Sequence, residues 1–253
     1  MSAAFLLSRT LGLAHHASMP RFVIQGRRRL SGTFRPAGNK NAALPMLAAA
    51  LLTDQPVVLH NVPDLWDVAT MLELLASLGV SISRRGATVT LRASGIRRRR
   101  LNRELCSRVR SSILLAGPLA ARFGRAVLYP PGGDVIGRRR LDDHLNGLRA
   151  LGISAEKSDF FTFRRNQLRG ADILLEEPSV TATENVLMAA CLADGKTMIF
   201  NAACEPHVTD LGNLLCSMGA RIEGLGTNRI VVEGVDSLGG ATHTIGPDHI
   251  EVG

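Results

Sequence analysis

Apolar residues recur at helical spacing in three places along this chain, and each time they stop at a glycine. Val68, Met71, Leu72, Leu75 and Leu78 lead to Gly79. Leu141, Leu145, Leu148 and Leu151 lead to Gly152, and Val208, Leu211, Leu214, Leu215 and Met218 lead to Gly219. The spacing predicts three amphipathic helices, each closed by a C-cap glycine. Ahead of each lies an apolar stretch rich in small residues: "NAALPMLAAALL", "RSSILLAGPLAARFG" and "ENVLMAACLADG". A short β-rich run follows each of these: "PVVLH", "RAVLY" and "KTMIF". After the capping glycines, segments such as "SISRRGATVTL" and "RIEGLGTNRIVVEG" read as paired strands with glycine at the turn. The predicted unit is helix, strand, helix, hairpin, used three times in an α/β fold.

Aligning the units places Asn61, Asp134 and Asn201 at one equivalent position, seven residues before Val68, Leu141 and Val208. In the second unit an extra Pro-Pro-Gly-Gly separates the strand from its acid, giving "PPGGDVIGRRR". An insertion confined to one repeat suits a loop with its own task. Two glycines would let it close over a ligand, and the helix starting near Leu141 offers its N-terminal amides to an anion. A surface turn with a helix-capping acid accounts for the same residues.

Composition narrows the chemistry. The 253 residues include only 4% aromatics, with one Trp and one Tyr, which argues against a base-stacking platform. Cys106, Cys191, Cys204 and Cys216 form no CxxC pair, so neither a zinc site nor a disulfide framework is expected, and a reducing cytoplasm fits. Cys191 and Cys216 lie in apolar stretches and read as core thiols. No apolar run is long enough for a membrane span. The net charge of +8 is almost all arginine. The run Arg97 to Arg100 reads as a solvated connector. Nucleic-acid binding is the competing reading of a basic chain, but no recognition helix or aromatic RNA motif is found, and an anionic small substrate explains localised arginines equally well. Lys40, one of three lysines, sits between Asn39 and Asn41 in "RPAGNKNAALP", at a helix start suited to a phosphate.

Lys40-Asn41, the Gly-Gly-Asp loop and the repeated unit together resemble the UDP-N-acetylglucosamine 1-carboxyvinyltransferases of the enolpyruvyl transferase family. The resemblance runs from about Pro20 to the last residue. It is carried by "GNKNAALP", "RSSILLAGPLAARFG", "PPGGDVIGRRRLDDH", "PSVTATENVLMAA" and "NAACEPHVTDL". The sister enolpyruvylshikimate phosphate synthases share the repeat but usually follow their lysine with serine, so Asn41 points away from them. The resemblance implies an inside-out α/β barrel of three units, facing a second such domain across a substrate cleft. It implies transfer of the enolpyruvyl group of phosphoenolpyruvate to the 3'-hydroxyl of UDP-N-acetylglucosamine in peptidoglycan precursor synthesis, with no cofactor and no metal.

Residue by residue, the resemblance gives Lys40 and Asn41 contacts to phosphoenolpyruvate and the sugar nucleotide, and Arg110 a substrate contact. It gives Arg139 the phosphate of phosphoenolpyruvate, and Arg140, Leu141, Asp142 and Asp143 the nucleotide. Ser179 and Val180 fall where the family holds uridine and diphosphate, their backbone amides serving because Glu177 stands where many relatives have lysine. Asp134 takes the place of the family's loop cysteine as general acid, with Lys40 beside it in catalysis. Nearby Arg138 and Arg139 favour its charged form; closure over anionic substrates would neutralise them and desolvate the acid, raising its pKa again.

The implied domain plan has a leader at 1–18, and at 19–38 a first strand that normally belongs to the second domain. The three-repeat domain covers 39–246, and 247–253 is a crossover at which the second domain is missing. The competing expectation is a half-enzyme that at most binds the UDP-sugar, or one completed by a separately encoded second domain.

Overall fold

The computed structural model describes residues 23, 25–27, 29, 31–133 and 140–253. The expected leader, most of the expected first strand, and Asp134 and Arg139 lie outside the described residues. The chain divides into two units, Met1–Arg35 and Pro36–Gly253; the second contains every helix and strand among the described residues.

Helix α1 (Lys40–Ala49) continues through a 3-10 turn (Ala50–Leu52) into strand β1 (Val57–His60), helix α2 (Trp66–Leu78), and a hairpin of β2 (Ser81–Arg85) and β3 (Thr88–Arg92). Next come α3 (Arg103–Arg108), a 3-10 turn (Arg110–Leu115), α4 (Ala116–Phe123), β4 (Arg125–Leu128) and α5 (Asp142–Ala150), then the hairpin of β5 (Ile153–Lys157) and β6 (Phe161–Arg165). The remainder is β7 (Asp172–Leu174), α6 (Val180–Ala190), β8 (Lys196–Phe200), α7 (Pro206–Ser217), β9 (Arg221–Glu223), β10 (Arg229–Glu233), β11 (Ala241–Thr244) and α8 (His249–Val252).

Burial explains the layering. In α1, Ala42 through Ala49 are all buried, as are Ala116 through Ala121 in α4 and Ala182 through Ala190 in α6. Helices buried along most of their length belong in the interior, and both α1 and α4 pack on α6, whose buried set also includes Thr183, Glu184 and Asn185. Small residues allow these close approaches, and truncating a fully buried Leu47 or Leu187 to Ala would cost about 2–5 kcal/mol. The striped helices α2, α5 and α7 turn one face inward: Val68, Met71, Leu75 and Leu78 are wholly buried in α2, with exposed residues between them. Gly79, Gly152 and Gly219 follow these helices with φ of 104°, 86° and 103°, as their C-cap role predicts.

The strands form three sheets, of order β11-β1-β3-β2, β4-β6-β5 and β7-β8-β10-β9. None closes on itself, so the α/β fold shows no closed sheet barrel among the described residues. In each, a hairpin strand pairs antiparallel with β1, β4 or β8. On the other side, β1 pairs parallel with β11, and β8 with β7. Asn61 and Asn201 directly follow β1 and β8, both with left-handed backbones (φ 58° and 56°). Their Nδ2 groups donate to the Ile245 and Leu175 carbonyls at 2.9 and 3.0 Å, tying each strand end to the segment following its parallel neighbour.

Three expectations change. "RSSILL" is a 3-10 turn rather than the start of one long helix. Pro118 lacks an N–H and clashes with the carbonyl four residues earlier, so α4 starts at Ala116 and keeps the proline in its first turn. Cys216, expected in the core, is exposed near the end of α7, whereas Cys191 is buried. The arginine run is more than a solvated connector: Arg100 bridges to Val127 of β4, and its guanidinium lies over the Phe160 ring at 4.7 Å. Among the described residues, no helix is long and apolar enough to cross a membrane, and no cluster of three or more potential metal ligands is found.

Candidate functional site

The candidate residues gather at the starts of helical segments, where backbone N–H groups lack intrahelical partners. Asn39 caps α1: its Oδ1 accepts from the Ala42 amide at 3.1 Å, and its own N–H donates to Gly246 at 2.9 Å. That fixes Lys40 as the first residue of the helix. Lys40 Nζ pairs with Asp67 Oδ2 of α2 at 2.9 Å, each side chain about one-third exposed. Pro45, inside α1, cannot supply the amide that would otherwise bond the Asn41 carbonyl one turn earlier. Lys40, Asn41, Leu65, Trp66, Asp67, Asp248, Ile250 and Glu251 line a cavity of about 640 Å³.

A second cavity, of about 750 Å³, joins Arg110, Arg140, Leu141 and Asp142 with Pro130, Pro131, Leu145, Lys157 and Phe161. Arg110 begins the 3-10 turn, and its guanidinium donates to the Arg140 carbonyl at 3.4 Å. Arg140 Nε donates to Asp142 Oδ2 at 2.7 Å, and this contact raises the guanidinium's pKa further above its ordinary value. The loop stem leading here is held by shape. A Cβ on Gly132 would sit 1.7 Å from the Ser107 carbonyl oxygen, and one on Gly133 would meet the Arg110 amide nitrogen at 3.2 Å. The Gly-Gly pair therefore allows a close seat against α3 and Arg110.

Asp143 points elsewhere. Its carboxylate accepts from the Glu176 and Glu177 amides at 2.8 and 3.3 Å, fastening the start of α5 to the segment that leads into α6. Ser179 caps α6 through Ala182 at 3.4 Å, and Val180 is the first helical residue. The Ser179 amide itself donates to the Glu177 carbonyl at 2.7 Å. Ser179 and Val180 stand outside the described walls of both cavities. Lys40 and Asn41 thus share one cavity, Arg110, Arg140, Leu141 and Asp142 another, and Asp143, Ser179 and Val180 form the adjoining support.

Some neighbours were not singled out from sequence. Lys157 lines the second cavity; the scarcity of lysine that drew attention to Lys40 applied equally to it. Asp67 and Trp66 carried no comparable signal. His144 is buried beside Arg110, and burial first, then that positive charge, lowers its pKa to about 3.

The protein-family model "EPSP synthase (3-phosphoshikimate 1-carboxyvinyltransferase)" matches residues 24–253. The chain belongs to this family of carboxyvinyl, or enolpyruvyl, transferases. It is 54% identical over 233 residues to a protein of Bradyrhizobium diazoefficiens named UDP-N-acetylglucosamine 1-carboxyvinyltransferase, covering 92% of this chain and 54% of that protein. A Treponema pallidum protein of the same name is 53% identical, with 91% and 54% covered. Among solved structures, the enolpyruvyl transferase NikO from Streptomyces tendae superposes with a TM-score of 0.78 at 26% identity, covering 90% of this chain and 54% of that one. EPSP synthase from Acinetobacter baumannii, at 20% identity and a TM-score of 0.67, shares the fold. The chain spans about half the length of the curated relatives it matches.

Proposed function

We propose that this chain provides the Lys40 side of an active site that transfers the enolpyruvyl group of phosphoenolpyruvate to the 3'-hydroxyl of UDP-N-acetylglucosamine. The observation that carries this reading is the 46–54% identity, over more than nine-tenths of the chain, to four proteins bearing that enzyme's name. On this reading the three sheets and their helices are three copies of one unit in an inside-out barrel. Residues 39–246 form that domain, preceded by a leader at 1–18 and a borrowed strand at 19–38, and 247–253 lead towards a second domain. On this reading the setting is the cytoplasm, which the scattered, unpaired cysteines suit.

In this reaction the 3'-oxygen bonds to C2 of phosphoenolpyruvate while C3 takes a proton; loss of a C3 proton and of inorganic phosphate then leaves the enolpyruvyl ether. Lys40 and Asn41 would meet the three-carbon substrate, with Arg139 on its phosphate. Arg110, Arg140, Leu141, Asp142, Asp143, Ser179 and Val180 would meet the nucleotide, Asp143 and Ser179 also keeping α5 and α6 in place. Fixed cations and helix N-termini suit two polyanionic substrates, because they hold phosphate charge without reorganising as the transition state forms. Asp134 would deliver the proton to C3.

The test is phosphate release from phosphoenolpyruvate by the purified chain, with and without UDP-N-acetylglucosamine, beside calorimetric binding of the sugar nucleotide. Release that depends on the sugar nucleotide supports turnover. Binding without release favours a second reading, a half-site that needs a partner domain. Release driven by shikimate 3-phosphate instead would move the chain to the sister activity. In an intact enzyme, Asp134→Asn should abolish release while leaving sugar-nucleotide affinity unchanged; normal turnover would remove Asp134 from the mechanism.

A further inference from the structure

Beneath the second cavity lies a buried chain of polar groups to which the chemistry above assigns no task. Asn185 of α6 is fully buried; its Oδ1 accepts from the Gly117 amide at 2.8 Å, and its Nδ2 donates to the Ile113 carbonyl at 3.0 Å. Turning the amide over would set NH2 against N–H and oxygen against oxygen, so these partners fix its orientation. The same Nδ2 lies 3.1 Å from His144 Nδ1. An amide NH2 only donates, so Nδ1 must carry a lone pair and the hydrogen must sit on Nε2, which faces Thr181 Oγ1 at 3.1 Å. A doubly protonated ring would set N–H against NH2. One neutral tautomer alone satisfies every partner.

We propose that His144 is a positioning residue that sets the spacing between the nucleotide-binding segments. Resting on the proposed sugar-nucleotide reading, the inference follows from what its two nitrogens join. Through Nδ1 and Asn185, the ring ties α5 to the 3-10 turn that starts with Arg110. Through Nε2 it ties α5 to the first turn of α6, one residue beyond Val180. The neighbouring Asp143 makes a parallel tie from α5 to the Glu176 and Glu177 amides. The imidazole thus joins α5 to α6 at Thr181 and Asn185, and Asn185 carries the link on to the Ile113 carbonyl of the 3-10 turn.

Two substitutions separate its two contacts. His144→Asn keeps an oxygen where Nδ1 accepts from Asn185 but cannot reach Thr181. His144→Gln reaches Thr181 but offers Asn185 no acceptor. In the full chain, His144→Asn should weaken UDP-N-acetylglucosamine binding roughly tenfold, the effect of one lost buried hydrogen bond. It should also speed hydrogen exchange at the Glu176, Glu177 and Ala182 amides, after correction for global stability, and spare Gly117. His144→Gln should show the opposite exchange pattern. Lower thermal stability in His144→Asn with wild-type affinity and unchanged exchange at 176 and 177 would overturn the positioning role. Failure of the wild-type chain to bind the sugar nucleotide would overturn the nucleotide reading instead, and the exchange pattern would still decide whether His144 couples the segments.

Discussion

Lys40 Nζ and Asp67 Oδ2 stand 2.9 Å apart, joining the first residue of α1 to the second residue of α2. Both side chains are about one-third exposed, so water and salt screen the pair and its contribution to stability is small, at most about 1 kcal/mol. Its value lies in aim. Without Asp67, Lys40 regains rotamer freedom beside the Asn41 cavity. Asp67→Asn should therefore leave the urea midpoint nearly unchanged while raising the concentration of phosphoenolpyruvate needed for half-maximal turnover several-fold in an intact enzyme. A large stability loss with unaltered substrate dependence would assign the pair to the fold alone.

Gly117→Ala should be far more damaging than its size suggests. The new methyl carbon would stand 2.5 Å from both the Asn185 carbonyl oxygen and its Oδ1, in the rigid seam between α4 and α6. Neither group is the end of a flexible chain, so the seam must open, at a cost of about 1–3 kcal/mol. Chemical denaturation of the variant measures this directly, and a loss under half a kilocalorie would mean that the seam yields easily.

Acid should loosen the protein before its carboxylates are all protonated. Below pH 6.5 the unfolded chain takes up a proton on His144, which the buried imidazole refuses until about pH 3. The unfolded state therefore binds more protons across that window. Stability should fall as pH drops through it, by up to about 1.4 kcal/mol per pH unit for this one group. Urea midpoints collected from pH 7.5 to 4.5 should decline more steeply for the natural chain than for His144→Gln. Equal slopes would show that the ring titrates normally.

Glu184 works in the other direction. It is wholly buried in α6, its Oε1 has no hydrogen-bond partner, and burial, with a lesser contribution from Glu205, pushes its pKa well above the ordinary range. Above pH 4.5 the unfolded carboxyl ionises while the folded one keeps its proton, so stability should decline as pH rises towards the folded-state value. Glu184→Gln removes the titration. The variant should gain on the natural chain steadily between pH 5 and 8 in thermal unfolding, and parallel curves would contradict the assignment.

The regular part of the fold was legible in the sequence because burial follows a period. The stripe Val68, Met71, Leu72, Leu75 and Leu78 marked the inner face of α2, although Leu72 is only half-buried and the wholly buried Leu74 was not in it. The predominantly apolar, small-residue stretches marked α1, α4 and α6, although α6 also buries Glu184 and Asn185. Long-range polar geometry leaves no such trace. Lys40 and Asp67 are separated by 27 positions, His144 and Asn185 by 41, and Gly117 and Asn185 by 68, and nothing local announces which will meet. Cys216 misled because its stretch is apolar overall while its own place on α7 faces outward.

The parallel pairing of β11 with β1 has a consequence for how the molecule is made. Asn61 holds the carbonyl of Ile245, 184 positions further along, so the sheet begun by β1 lacks one neighbour until β11 has been made. Closing so long a loop brings a large entropic penalty before any contact rewards it. The pocket around Lys40, whose helix cap leans on Gly246, should therefore form late, after the two later sheets have had time to assemble on the ribosome.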